Sequence, residues 1–127
     1  MLDLECNLQY LLILHGLIRW LVLAVGGAAL LAVLRHAGRP TRILGGTFVG
    51  LLDAQLVLGA LLLLLDSQIR PARIPHALLM GLAVLVAHGL RIRQKKHPET
   101  GPALVVAAVV VPLLLIFVGL GFLQVKP

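Results

Sequence analysis

The sequence predicts an all-α integral membrane protein, a four-helix up-down-up-down bundle that forms one transmembrane domain over residues 1–127. Hydrophobic residues make up 60% of the chain and charged residues only 13%, whereas soluble domains are closer to half apolar and a quarter charged. The apolar residues fall into four runs, and each reaches the roughly 20 residues that a membrane-spanning helix needs. The segments between the runs are short, which favours antiparallel neighbours.

The first two helices are predicted over residues 8–34 and 43–65. The first ends at the polar stretch of residues 35–40, which includes a proline and a glycine. Thr41 follows this stretch and is a candidate N-cap for the second helix, because its hydroxyl can accept a first-turn N–H. The second helix ends where Asp66 interrupts the apolar run.

The other two helices are predicted over residues 72–90 and 102–123. Pro75 falls in the first turn of the third helix, where a missing backbone N–H is tolerated. Pro112 lies in the middle of the fourth run. It predicts a kink, because proline removes one helical hydrogen bond.

Basic residues concentrate in two loops: the first loop has three arginines, and the third has four residues that are Lys or Arg. The acidic residues Asp3 and Glu5 lie near the N-terminus. The positive-inside rule therefore predicts both basic loops in the cytoplasm and both chain termini outside. Topology and anionic lipid headgroups explain the pI near 10.8 without a nucleic-acid partner. The lipid bilayer is the predicted surroundings of the chain.

The motifs of soluble enzymes are missing from the sequence. There is no P-loop, no GxSxG, no HExxH and no carboxylate pair suited to acid–base chemistry. Cys6 is the single cysteine, which excludes an internal disulfide and CxxC metal chemistry. We therefore predict no independent catalytic activity and no catalytic residue.

Six polar side chains interrupt the first three apolar runs. Because a charge near the bilayer centre is costly, such residues usually serve a partner, a cofactor or a pathway. These candidates are His15, Arg19, Asp53, Gln55, His76 and His88.

His15 and His76 are predicted at similar depth on parallel helices, from a helical rise of about 1.5 Å per residue. Two facing imidazoles can ligate haem iron axially. Arg19 is four residues past His15 and Met80 four past His76, so each shares its histidine's helix face. Gln55 could hydrogen-bond a histidine ring and set its tautomer. The alternative is that each histidine only hydrogen-bonds a backbone carbonyl or a neighbouring helix.

Arg19 and Asp53 are predicted near the midplane on antiparallel neighbours, which suggests a buried ion pair. One interpretation is structural, since buried pairs often specify helix register without adding net stability. In the other, Arg19 holds a haem propionate or a quinone oxygen, and Asp53 is its counter-ion.

His88 is a weaker candidate for iron ligation. It is twelve residues past His76, about 120° around the helix, so one flat ligand cannot engage both rings. His88 could instead pair with His36 in a second, inner site, although His36 is predicted in a loop.

These motifs resemble a group of small four-helix bacterial membrane proteins, mostly uncharacterised and sometimes labelled cytochrome-b-like. The resemblance covers all four spans and implies haem b held by His15 and His76, with Arg19 near a propionate. It also implies location in the bacterial inner (cytoplasmic) membrane. The residues that carry it are His15–Trp20, Asp53–Gln55, Leu58–Gly59, His76–Met80 and Ala87–Gly89.

Two functions follow as hypotheses. The first is an integral membrane electron-transfer subunit that binds haem b, with quinone as a candidate electron partner. The alternative is a non-catalytic accessory subunit of a larger respiratory or photosynthetic membrane complex. Both imply other membrane subunits as partners. A small transporter is disfavoured, because discontinuous transport helices have central Gly or Pro breaks. Apart from Pro112, the spans have no such break.

Overall fold

Four long helices form the protein. The computed structural model describes residues 2–66, 71 and 73–124, and these contain no strand. The helices are α1 (Leu2–Leu34), α2 (Gly38–Leu65), α3 (Arg73–Lys96) and α4 (Pro102–Gln124). Each is long and apolar enough to cross a membrane. The predictions of an all-α fold and four spans are confirmed, and we describe the chain as a multi-pass membrane protein.

The helices pack in a ring that follows chain order. The most extensive contacts join α1 to α2 and α3 to α4, and smaller ones join α2 to α3 and α1 to α4. Short turns at residues 35–37 and 97–101 connect the two tightly packed pairs, so the partners in each pair run antiparallel. The helices α1 and α3 therefore lie diagonally across the bundle.

Three helices extend by five or six residues beyond a predicted end, and the earlier start of α2 at Gly38 is described below. α1 begins at Leu2, six residues earlier than expected, and α3 continues to Lys96, six residues further than expected. Asp3 and Glu5 lie in the first turn of α1, and basic residues including Arg93 occupy the last turn of α3. Acidic side chains near a helix N-terminus and basic ones near a C-terminus stabilise the helix, because they interact favourably with its dipole. The predicted start of α3 at residue 72 lies outside the described residues.

α1 ends in a left-handed residue. His36 has φ of 54°, its N–H donates to the Val33 carbonyl at 3.0 Å, and the Ala37 N–H donates to the Ala32 carbonyl at 3.0 Å. This pair of hydrogen bonds is the Schellman arrangement that satisfies the last helical carbonyls. The turn places His36 outside the helices, as predicted.

The expectation that Thr41 caps α2 is wrong. The N-cap is Ala37, which makes no side-chain capping bond, and the Thr41 N–H already donates to the Ala37 carbonyl at 2.9 Å. Pro40 does not prevent this earlier start, because the first N–H groups of a helix have no intrahelical acceptor.

The core of the bundle is centred on Phe48, which is 1% exposed. Gly26 on α1 faces this ring, and a Cβ there would lie 2.9 Å from Phe48 Cε2 and 3.0 Å from Leu113 Cδ2. The glycine therefore lets α1 approach α2 and α4 closely, as small residues do in membranes. α4 continues through the buried Pro112.

Candidate functional site

Five of the residues singled out in the sequence line one cavity, and we call them the histidine cluster: His15, Arg19, Gln55, His76 and Met80. The cavity has a volume of about 60 Å³ and lies in the half of the bundle nearer the chain termini. Because α1 and α3 are diagonal, His15 and His76 approach it from opposite sides.

Gln55 joins α2 to α1 through His15. Its amide Nε2–H donates to the His15 carbonyl at 3.0 Å and contacts His15 Nε2 at 3.2 Å. With Gln55 as the donor, Nε2 of the ring is the acceptor, so the neutral imidazole carries its proton on Nδ1. Gln55 is 8% exposed, and this contact gives it the tautomer-setting role expected from the sequence.

Two buried polar atoms of this contact have no partner among the described residues, His15 Nδ1 and Gln55 Oε1. The His15 ring packs against Gly59 of α2, where a Cβ would lie 3.3 Å from its Cε1. Buried polar atoms without a hydrogen bond are uncommon in folded proteins. These two therefore mark the part of the cluster where a small polar group or water can bind.

His76 is anchored to α4. Its Nδ1–H donates to the Gly119 carbonyl at 3.0 Å, which leaves Nε2 of the neutral ring as a free acceptor. A Cβ at Gly119 would lie 2.6 Å from Met80 Cε and 3.5 Å from His76 Nδ1. Gly119 therefore makes room for both side chains that α3 contributes to the cluster.

Arg19 lines the cavity and stacks on its neighbour Trp20. The guanidinium carbon lies 5.6 Å from the ring centroid, within the range of a cation–π contact. Trp20 is 64% exposed and faces outward. Within the described ranges no carboxylate lies within ion-pair distance of Arg19.

The predicted ion pair between Arg19 and Asp53 is wrong. Asp53 instead accepts from His88 Nε2–H, at 2.8 Å to Oδ1 and 3.1 Å to Oδ2. The reason is rotation about the helix axis: two residues correspond to about 200°. Gln55 faces α1, and Asp53 lies on another side of α2, where it contacts His88 of α3.

The second, inner site suggested for His88 and His36 does not form. His88 is engaged with Asp53, and His36 is an exposed residue of the α1–α2 turn. No group of three or more His, Cys, Asp or Glu side chains that could hold a metal ion occurs in the part of the chain that the structure describes.

The arrangement does not fit haem b between His15 and His76. Gln55 binds Nε2 of His15, and the cavity of about 60 Å³ is far below the roughly 300–1,000 Å³ of pockets for drug-sized ligands. A flat macrocycle between the two rings would need a larger cavity than this.

Sequence reasoning did not assign Gly59 and Gly119 to the candidate site, although they shape the cluster by admitting the two histidine side chains. A signal was present, because glycine inside a membrane span often marks close packing. It could not say which side chain each glycine admits, since that depends on helix rotation.

Comparison with protein-family models, with curated proteins and with solved structures found no match for this chain. The resemblance to cytochrome-b-like proteins therefore stays a prediction.

Proposed function

We propose that this protein is a non-catalytic subunit of a larger membrane complex, and that it meets a neighbouring subunit through the α2–α3 face around Asp53 and His88. Its place is the bacterial inner membrane, with both termini outside as the loop charges predict. The hydrogen bond between Asp53 and His88 carries this proposal.

The pair lies at membrane depth and is only half covered. Asp53 is twelve residues before the end of α2, about 18 Å along a helix inside a hydrocarbon core about 30 Å thick. The two side chains are 46% and 45% exposed in the isolated chain. A charged Asp at the centre of a span costs about 2.5–3.5 kcal/mol against lipid, so a polar group of another chain would stabilise this face.

The surface beside the pair suits a second helix. Gly50 and Ala54, four residues apart on α2, are both exposed, and so is Gly89 on α3. A Cβ built on Gly50 or Gly89 meets nothing within 4 Å. Small residues spaced in this way allow two membrane helices to approach closely.

Site-directed photo-crosslinking in native membranes tests the proposal. A photoreactive residue replaces Leu85, which is 71% exposed on the same face, or Leu17 on α1, which is 59% exposed. We expect one discrete protein adduct from position 85 and lipid adducts alone from position 17, because only the first faces the Asp53–His88 pair.

The outcomes separate the alternatives clearly. Lipid adducts alone from both positions would contradict the proposal. An adduct from position 85 with twice the mass of this chain would replace it with self-association. An adduct with a different protein supports it and supplies that subunit for identification.

A second candidate function is electron transfer with haem b or quinone. It is favoured by the free Nε2 of His76, left open by the Gly119 bond, and by Arg19, for which an anionic oxygen would be a suitable partner. It requires the bundle to open, because the cavity of about 60 Å³ lies below the size of ligand pockets.

A reduced-minus-oxidised absorption spectrum of the protein, expressed with adequate haem, tests the second candidate. A b-type α-band that His76→Ala abolishes and His36→Ala preserves would establish it. The control removes an exposed histidine of the α1–α2 turn, so it leaves the cluster intact. A featureless spectrum would remove haem from consideration.

A further inference from the structure

A larger cavity lies at the opposite end of the bundle from the histidine cluster. Its volume is about 460 Å³, within the range of small-molecule sites. Residues of all four helices line it, and Gly38 and Pro98 place it beside the α1–α2 and α3–α4 turns. We call it the basic cavity.

The lining of the basic cavity combines cations with an apolar floor. Arg42, Arg91 and Lys95 line it, and no carboxylate does. Phe48 and Val109, both buried, belong to its apolar part. This distribution matches an amphiphile whose charged head is anionic.

Arg91 is the cation that the fold holds most closely. Its guanidinium lies across α2 at a pair of glycines: a Cβ at Gly46 would be 2.9 Å from Nη2, and one at Gly45 would be 3.3 Å from Nη1. Arg91 is partly buried. Its N–H groups meet no hydrogen-bond acceptor among the residues that the structure describes, although a guanidinium offers five donors.

Two other polar side chains at this end of the bundle are engaged elsewhere. Gln94 Nε2–H donates to the Leu104 carbonyl at 3.2 Å and ties α3 to α4. Glu99, in the adjacent turn, accepts from His97 Nδ1–H at 3.0 Å. The charge of the basic cavity is therefore left for a ligand to balance.

We propose that the basic cavity binds a phosphate group, with Arg91 as the central ligand and Arg42 and Lys95 beside it. Arginine binds phosphate through paired N–H donors, and basic pockets between membrane helices hold anionic headgroups. The apolar floor favours a phospholipid over free phosphate as the source, because it accommodates an acyl chain. This goes beyond the proposed function and does not depend on it.

Binding of phosphatidylglycerol with a fluorescent acyl chain to the full chain, purified in neutral detergent, tests the proposal. The site variant is Arg91→Ala with Lys95→Ala. The matched control is Arg93→Ala with Lys96→Ala, which removes the same charge from exposed positions outside the cavity. We expect the site variant to weaken binding by about tenfold or more and the control by less than about twofold, because only the first removes charge-assisted hydrogen bonds.

A variant that leaves the net charge unchanged provides a second test if the double variant folds poorly. Gly46→Ala places a methyl group against the guanidinium, whereas Gly27→Ala on α1 meets nothing within 4 Å. We expect weaker binding in the first and unchanged binding in the second, at constant net charge.

Two further probes identify the source of the phosphate. Phosphatidylcholine with the same fluorescent chain should bind more weakly, because its headgroup has no net charge. Inorganic phosphate that follows the variant pattern while the lipid does not bind would assign the site to free phosphate. Equal loss in the site and control variants, or equal binding of both lipids, would overturn the proposal.

Discussion

Gln55 contacts His15 at two atoms, the backbone carbonyl and the ring Nε2. One side chain of α2 therefore fixes both the height of α1 and the orientation of a histidine ring on it. The contact leaves His15 Nδ1 and Gln55 Oε1 buried without partners. The histidine cluster is therefore a polar contact between helices in which two atoms can still form a hydrogen bond with a further polar group or water.

Replacing Gln55 with Leu should destabilise the bundle by about 0.5–1.5 kcal/mol, because interhelical hydrogen bonds in membranes are typically worth about that much. Reversible unfolding in mixed micelles measures the difference. Gln9→Leu is the control, since Gln9 is exposed on α1. Equal stability of the two variants would show that the contact with His15 adds nothing.

Gly119→Val should destabilise the packing of α3 on α4 by about 1–3 kcal/mol, as overpacking of a filled site does. The added side chain meets Met80 Cε and His76 Nδ1. Gly121→Val is the matched control two residues later, where a Cβ meets nothing within 4 Å. The same unfolding measurement should give a near-zero change for the control, and a similar loss in both would contradict the assignment.

The Asp53–His88 hydrogen bond should appear as a coupling between the two positions. In a double-mutant cycle with Asp53→Leu and His88→Leu, we expect the double variant to lose about 0.5–2 kcal/mol less than the sum of the singles, because each single variant leaves a polar group unpaired at membrane depth. Additive losses would mean that the two side chains do not interact in the membrane.

The predicted topology is testable with the native cysteine. Cys6 is exposed near the start of α1, so a membrane-impermeant thiol reagent should label it in intact cells. In a Cys6→Ser background, Gly101→Cys, exposed in the α3–α4 turn, should react only after permeabilisation. The reverse pattern would invert the orientation and place the basic cavity outside.

Much of the fold was predictable because the number of spans depends on the length of apolar runs, which a single sequence displays. The helix ends were less predictable. α2 begins at Gly38 without a side-chain cap, although Thr41 offered a better capping side chain. The Schellman turn at His36 already brings the chain into a helical path, and local capping preferences are weak beside such a constraint.

The candidate site was predictable in part, for a related reason. Depth along each helix follows from residue number, so His15 and His76 could be predicted at a similar level. The side of the helix that each residue faces depends on how the neighbours pack. Asp53 shows this. Its depth in the membrane suggested an ion pair with Arg19, but its position around the α2 axis brings it to His88.

The sequence by itself determined that this chain has four spans and keeps most of its charges at the loops and helix ends, because transfer of apolar helices into lipid depends on composition and length. Only the tertiary structure decided which polar groups meet. It paired Gln55 with His15 and Asp53 with His88, and it opened a basic cavity at Arg91. The physical reason is that hydrogen bonds need atoms within about 3 Å, and such proximity is set by helix rotation and close packing at glycines.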